Sequence, residues 1–396
     1  MTISKKIRTS LSSASFIRKM FEEGEKLRKI HGTENVYDFT LGNPDVEPPA
    51  AFKTGLKKLA LEPVRGMHRY MSNAGYSETR RAVAVALADR TDLSFSENNI
   101  IMTCGAGGAL NVVLKTLLDP GDEIVLISPF FVEYKFYIDN HGGVFKIASS
   151  TEDFQLDLKS ISAAITPRTR AVLINSPNNP TGVVYSADSL AALGALLESK
   201  EKLTGQPIYV ISDEPYAKIV YDGISLPSVF KQIKNSIVVT SHSKDLALPG
   251  ERIGYIAFSP RIEEGALLEE GLIFCNRTLG FVNAPALMQR LVTSLQRESV
   301  DIREYQEKRD ILYKTLTDLG FEMIKPQGAF YLFPKSPIPD DVEFIRRAQK
   351  YRILLVPGSG FGAPGYFRMA YCIDRQIILN SIPAFKSLAS ELELTP

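Results

Sequence analysis

Two apolar β-branched runs in this sequence end in side chains able to do chemistry. Ile208-Tyr209-Val210-Ile211-Ser212 leads into Asp213-Glu214-Pro215-Tyr216. Ile237-Val238-Val239-Thr240 leads into Ser241-His242-Ser243-Lys244, and Arg252 follows eight positions on. An acid at the end of a buried strand lies at the carboxyl edge of a sheet, where ligands bind. Taken singly, each residue has an ordinary explanation: a solvated loop lysine, a helix-capping aspartate, an arginine in a salt bridge, a serine in a turn. Together they bring carboxylate, phenol, amine and guanidinium to one edge. An amine among cations has its pKa lowered and becomes a nucleophile toward carbonyls. A buried carboxylate can hold a ring nitrogen in its protonated form.

Two loops add to this set. Asn99 to Cys104 runs into Gly105-Ala106-Gly107-Gly108 and then a helical pattern. This resembles a dinucleotide fingerprint, but the third small residue comes too soon for GxGxxG, and the next strand ends in Ser128-Pro129 rather than in an acid. The N–H groups of Ala106 and Gly107, with the helix dipole, suit a single phosphate equally well. A plain tight turn is the alternative. The second loop, Asn175-Ser176-Pro177-Asn178-Asn179-Pro180-Thr181-Gly182, follows the buried run Ala171 to Ile174. Its prolines, asparagines and glycine form a rigid turn that can hold an Asn amide still at an open site. Sequence does not reveal whether Pro180 is cis.

The elements that must position these residues alternate. Strands are predicted at 99–103, 123–127, 144–147, 171–174, 208–212, 237–240 and 253–257, and helices at 106–118, 131–140 and 186–197. The pattern predicts an α/β domain with a mostly parallel sheet flanked by helices. After about Ala284 a long helical pattern runs to Leu319. Short strands at 321–324, 329–332, 353–356 and 366–369 follow, with a closing helix from about Arg375. We therefore expect a large domain over residues 48–283 and a smaller α+β domain made of 1–47 and 284–396. In the N-terminal part, Phe16, Ile17, Met20, Phe21, Leu27 and Ile30 recur at helical spacing, with Ser12 or Ser13 as cap and Gly32 as stop.

Composition narrows the function. The 396 residues are enough for about two domains. Lys plus Arg number 46 against 45 Asp plus Glu, so there is no broad positive field for nucleic acid or an anionic membrane. Three scattered cysteines and four dispersed histidines offer neither a disulfide framework nor a metal site. His68 and His141 read as surface or capping residues. No apolar run reaches the length of a membrane helix. Met1 to Met20 lacks acidic residues, as a transit peptide does, but the helix reading is the stronger one, and the expected location is the cytoplasm.

Amine, carboxylate and phosphate-binding turn are together the requirements of a pyridoxal phosphate site. The chain resembles class I/II aminotransferases of the fold type I pyridoxal phosphate family nearly end to end. The likeness rests on Asn179-Pro180-Thr181-Gly182, Asp213-Glu214-Pro215-Tyr216, Ser241-His242-Ser243-Lys244 with Gly250 and Arg252, and Phe367-Arg368-Met369-Ala370, all in family order. Leu41-Gly42-Asn43-Pro44-Asp45, Tyr70 with Gly75, Pro326 to Tyr331, and Pro357-Gly358 with Phe361-Gly362 extend it.

The resemblance implies roles. Lys244 would form the Schiff base with pyridoxal 5′-phosphate and shuttle the substrate's α-proton. Asp213 would pair with the pyridinium nitrogen, and Asn179 and Tyr216 would hydrogen-bond the ring's phenolate oxygen. Arg252, Ser241, Ala106 and Gly107 would hold the phosphate. Phe131, with Phe130 as the alternative, would stack on the ring. Arg368 would bind the substrate α-carboxylate with its bidentate fork, and Asn179 and Phe131 would also face the substrate. Gly42 would close over it. Tyr70 would reach the phosphate of a neighbouring subunit in a homodimer.

The implied activity is transfer of an amino group from an α-amino acid to a 2-oxo acid by a ping-pong mechanism, aspartate or glutamate coupling being favoured on family frequency. A lyase or racemase on the same fold is the nearest alternative. An NAD-dependent oxidoreductase would leave Lys244, Asp213 and Arg368 unexplained, and a DNA-binding regulator would need more than the one helix in residues 1–32. Arg18, Lys19, Arg69 and Arg277 are candidates for a distal substrate carboxylate. Phe16, Phe21 and Tyr331 are candidates for an apolar pocket instead.

Overall fold

The computed structural model describes residues 2–62 and 64–395, and for residues 12–23 the backbone alone. Its strands, in chain order, are β1 (Tyr37–Asp38), β2 (Ile100–Thr103), β3 (Glu123–Ser128), β4 (Val144–Ser149), β5 (Thr169–Asn175) and β6 (Tyr209–Asp213). They continue with β7 (Ser236–Ser241), β8 (Gly254–Phe258), β9 (Tyr331–Leu332), β10 (Ile353–Leu354), β11 (Val356–Pro357) and β12 (Phe367–Ala370). All seven strands expected in the first part join one sheet, in the order β2-β8-β7-β6-β5-β3-β4. Every pairing is parallel except the two made by β8.

Near-continuous apolar strands require cover on both faces, and the alternation of side chains delivers it. Val125, Val172, Val210 and Val238 pack on one face against helices Ser77–Thr91, Ala187–Thr204 and Ala286–Thr293. Ile124, Leu126, Leu173, Ile211 and Val239 pack on the other against helices Gly105–Leu117, Glu133–Asn140 and Gly265–Thr278. Each run thus has its next residue in the opposite core.

A further core gathers Phe39, Leu312, Leu316, Phe330, Phe344, Phe367 and Phe385. It is framed by the parallel pair β1-β10 and the antiparallel sheet β11-β12-β9. Loops tie it to the large sheet. The Ser128 hydroxyl donates to the Gly362 carbonyl at 2.6 Å, and the N–H groups of Gln327 and Gly328 both donate to the Gly182 carbonyl at 2.9 Å.

Three local expectations are corrected. The helical pattern from Ala284 to Leu319 forms two helices, Ala286–Thr293 and Ile302–Asp318. The first contributes Met288, Leu291 and Val292 to the sheet core, whereas Leu312 and Leu316 of the second face the other core. The chain crosses between cores after Leu295, and the Asp301 side chain caps the new start. Periodicity alone does not register a change of partner. Residues 321–324 form no strand: the Phe321 N–H is spent on the Leu316 carbonyl at the end of the preceding helix, and β9 and β11 already flank β12. The N-terminal helix spans Lys5–His31, capped by Ser4 rather than by Ser12 or Ser13, and it ends at Gly32 with φ +81°. The side chains of Phe16, Ile17, Met20 and Phe21 lie outside the described residues.

Candidate active site

A cavity of about 420 Å³ opens at the carboxyl ends of β5, β6 and β7. Asn175, the last residue of β5, braces two neighbours: its amide donates to the Asp213 carbonyl at 2.7 Å, and its Oδ1 accepts the Asn179 N–H at 2.6 Å. Asp213, at the end of β6, accepts a hydrogen bond from the Tyr134 hydroxyl on Oδ2 at 2.6 Å. Its Oδ1 is buried without a partner. Burial pushes the carboxyl up to about 7, opposed by the Tyr134 bond. A buried acceptor left unmatched calls for a donor from a ligand, best a cationic N–H that keeps the carboxylate ionised.

Lys244 lies on the short helix His242–Asp245 that β7 feeds. Its Nζ donates to the Gly42 carbonyl at 2.6 Å and sits 5.5 Å from the centre of the Phe330 ring. Burial lowers the amine to about 8, and the charges of Arg368 and Arg252 act in the same direction. A free lysine titrates near ~10.4, so the neutral, nucleophilic amine becomes abundant about two pH units earlier. The rate at which the protein loads a carbonyl compound at this amine should therefore climb about tenfold per pH unit below 8 and level off above it. Stopped-flow loading rates between pH 6 and 10 check this, and a flat profile contradicts it.

At one end of the cavity a helix start meets a guanidinium, a pairing suited to an anion. Gly105, at φ +72°, starts the helix Gly105–Leu117, and a β-carbon there would lie 2.9 Å from Arg252 Nη2. The glycine thus lets the helix start meet the guanidinium. Arg252 itself has φ 51° and donates to the Pro249 carbonyl at 3.1 Å. Ala106, Gly107, Ser241 and Ser243 line the same end.

At the other end Arg368, on β12, donates from Nη1 to Asn179 Oδ1 at 3.0 Å and from Nη2 to the Thr40 carbonyl at 2.6 Å. Its guanidinium lies 4.7 Å from the Tyr331 ring centre and 4.8 Å from that of Phe361. Its Nε is buried without a partner. Tyr216 and Tyr331 share a hydroxyl–hydroxyl bond of 2.8 Å. A β-carbon on Gly42 would lie 2.0 Å from the Tyr331 oxygen, so only glycine lets this backbone approach so closely. Gly182 serves the neighbouring turn in the same way: it has φ +70°, and a β-carbon would lie 2.5 Å from Pro326 Cβ. The Asn179-Pro180 bond in that turn is cis.

Of the residues singled out in the sequence, Gly42, Ala106, Gly107, Phe131, Asn179, Asp213, Tyr216, Ser241, Lys244, Arg252 and Arg368 all line this cavity. Phe131 lines it and stands edge-on to Tyr134, whereas Phe130 is turned into the core. Tyr70 does not line it and is 88% exposed. Arg69 and Arg277 are exposed and also absent from the lining, and the Arg18 and Lys19 side chains lie outside the described residues. His68 is exposed, and His141 sits just past its helix with Nε2 3.0 Å from Asn111 Oδ1. Among the described residues no group of three or more His, Cys, Asp or Glu could hold a metal ion.

Sequence reasoning missed Tyr134, Asn175, Thr40, Glu133 and Tyr137. Asn175 alone had a signal, as the last residue of a buried run. The others depend on which face of a helix or bend meets the cavity. The dinucleotide reading of the Gly105 turn does not stand: β3 ends in Ser128, whose hydroxyl is held by Gly362, and the turn faces Arg252.

Fold and cavity together are those of an enzyme that works on amino acids through a carbonyl cofactor. The chain belongs to the family of aminotransferases of class I and II, whose family model matches residues 33–380. It is 31% identical over 364 residues to a probable aspartate aminotransferase of Methanocaldococcus jannaschii, covering 90% of this chain and 94% of that one. It is 32% identical over 357 residues to the aspartate/prephenate aminotransferase of Thermus thermophilus, covering 87% and 89%. The crystal structure of an amino transferase from Eubacterium rectale superposes with a TM-score of 0.96 at 40% identity, covering 99% of each chain. The protein is thus a pyridoxal 5′-phosphate-dependent aminotransferase. Its substrates are amino acids and 2-oxo acids, and no described helix is long and apolar enough to cross a membrane.

Proposed function

We propose that the cavity residues divide the work of transamination as follows. Pyridoxal 5′-phosphate, when bound, supplies the carbonyl that takes up the amino group and the ring that accepts the electron pair left at the α-carbon. Lys244 holds the cofactor covalently and, once freed, its amine takes the substrate's α-proton, acting first as base and then as acid. Asp213 keeps the ring nitrogen protonated through Oδ1, while Asn179 and Tyr216 serve the ring oxygen and Phe131 covers a face of the ring. Ser241, Arg252 and the N–H groups of Ala106 and Gly107 hold the phosphate. Arg368 takes the α-carboxylate, oriented by Asn179 and Thr40 and flanked by Tyr331 and Phe361. Gly42 closes over the substrate.

The observation that carries this reading is the convergence, in one cavity, of a lysine amine lowered to about 8 and a buried aspartate oxygen without a partner. Borohydride reduction of the holoenzyme, digestion and peptide sequencing test it. The tag is expected at residue 244, and a tag elsewhere, or none, overturns the assignment.

Arg368→Lys should raise the KM for the amino acid about 10- to 100-fold, because an ammonium cannot reproduce two parallel N–H bonds to a carboxylate. Steady-state kinetics at several donor concentrations check it, and an unchanged KM removes Arg368 from the substrate site.

The donor and acceptor pair is proposed to be aspartate- or glutamate-coupled, supported by the names of the two relatives. The cations among the described lining residues are Lys244, Arg252 and Arg368, each with a role above. A donor screen with 2-oxoglutarate as acceptor resolves the identity, and release of 2-oxo acid without ammonia separates transamination from elimination.

We further propose a homodimer in which Tyr70 reaches the partner's phosphate, supported by its exposed position outside its own cavity. The domain division at 48–283 against 1–47 with 284–396 is likewise our assignment, with helix Ala286–Thr293 carried on the larger unit's core. A cytoplasmic location is in keeping with three free cysteines.

A further inference from the structure

We propose that the Tyr137 hydroxyl donates a hydrogen bond to the cofactor phosphate and completes a cradle that otherwise lacks a side-chain donor on its helix side. The inference rests on the cofactor reading above. The first turn of the helix Gly105–Leu117 is Gly105-Ala106-Gly107-Gly108, so it offers backbone N–H groups and no side-chain donor. Tyr137 lines the cavity beside Ala106, Gly107 and Arg252. A β-carbon built on Gly107 would lie 3.2 Å from its hydroxyl oxygen, which places that oxygen beside the first turn of the helix.

The hydroxyl makes no hydrogen bond to any described residue. Its neighbour one turn earlier, Tyr134, spends its own on Asp213 Oδ2. The helix Glu133–Asn140 therefore aims two phenols into the cavity, one at the ring-nitrogen end and one at the phosphate end. Burial, with Glu133 and Asp213, pushes the Tyr137 phenol up to about 12 despite Arg252, so at neutral pH it is a protonated donor. A neutral donor set among cations suits a phosphate dianion, whose three free oxygens carry more lone pairs than the donors of Arg252, Ser241 and two backbone N–H groups fill. Gly107 has a matching reason to be glycine: even a β-carbon there would crowd the phenol at 3.2 Å.

The test compares full-length wild type and Tyr137→Phe, each stripped of cofactor and titrated with pyridoxal 5′-phosphate and with pyridoxal, which lacks the phosphate. The expected result is a dissociation constant about tenfold higher for the phosphorylated compound in the variant, with affinity for pyridoxal unchanged. Equal weakening of both compounds would mean that the phenol only props the wall, and no weakening of either would remove it from the cradle. Both outcomes overturn the proposal. Wild type that binds neither compound would instead overturn the cofactor reading itself.

Discussion

Lys244→Ala is expected to lose turnover by on the order of 10⁴-fold or more while still retaining pyridoxal 5′-phosphate. Positioned acid–base catalysis contributes roughly 10²–10⁴-fold, and the covalent hold on the cofactor is lost in addition. No other described amine stands in for it, because the remaining cations of the cavity lining are the guanidiniums of Arg252 and Arg368. Guanidinium does not deprotonate in the working pH range. The end proposed to hold the phosphate, formed by Arg252, Ser241 and the helix start, is untouched by the substitution, so cofactor should still co-purify or rebind. Two measurements are needed together: single-turnover conversion of an amino acid, and bound cofactor by absorbance. Residual turnover within tenfold of wild type would place the proton transfer on another group. Loss of cofactor with turnover would show that retention depends on the covalent link more than on the phosphate cradle.

Asp213→Asn is expected to lower kcat by on the order of 10²–10³-fold, the size of effect seen when a single preorganised electrostatic partner is removed. The shape is kept, and the amide can still accept from Tyr134 through its oxygen. What changes is charge. With the site free of cofactor, burial holds the Asp213 carboxyl near 7. A protonated ring nitrogen opposite Oδ1 favours the ionised form and draws that value down, and by reciprocity the carboxylate draws the nitrogen's value up. Asparagine breaks this coupling, so the ring loses its proton at neutral pH and accepts electrons poorly. The variant's bound-cofactor spectrum should change in its pH dependence, and a cofactor analogue carrying a methyl group on the ring nitrogen should restore part of kcat. No rescue by that analogue, or a kcat within a factor of ten of wild type, would deny Asp213 this role.

The two substitutions also separate two kinds of residue. Lys244 and Asp213 were legible because each follows a buried β-branched run, and the ends of parallel strands share one edge of a sheet by topology alone. The Asn175 to Gly182 loop was legible for the same reason. Arg368 was found only through family likeness, since it lies on β12, outside the large sheet. Tyr134 and Tyr137 were invisible: a helix carries its side chains around a full circle, and sequence does not state which face a neighbouring cavity will meet. The Ala284 to Leu319 pattern failed in a related way, since a helical period says that a face is buried but not against which core.

Local patterning was enough for the seven strands of the large sheet and for Lys244 and Asp213 at or just past the ends of two of them. Those follow from local alternation and from chain connectivity, which are written residue by residue. Only the tertiary structure decided that Asp213 Oδ1 has no partner, that Lys244 rests on Gly42, and that Arg368 meets Asn179 across the gap between two cores. Burial, and the charge state that burial sets, belong to the surroundings of a group rather than to the group, and those surroundings are assembled from segments far apart in the chain.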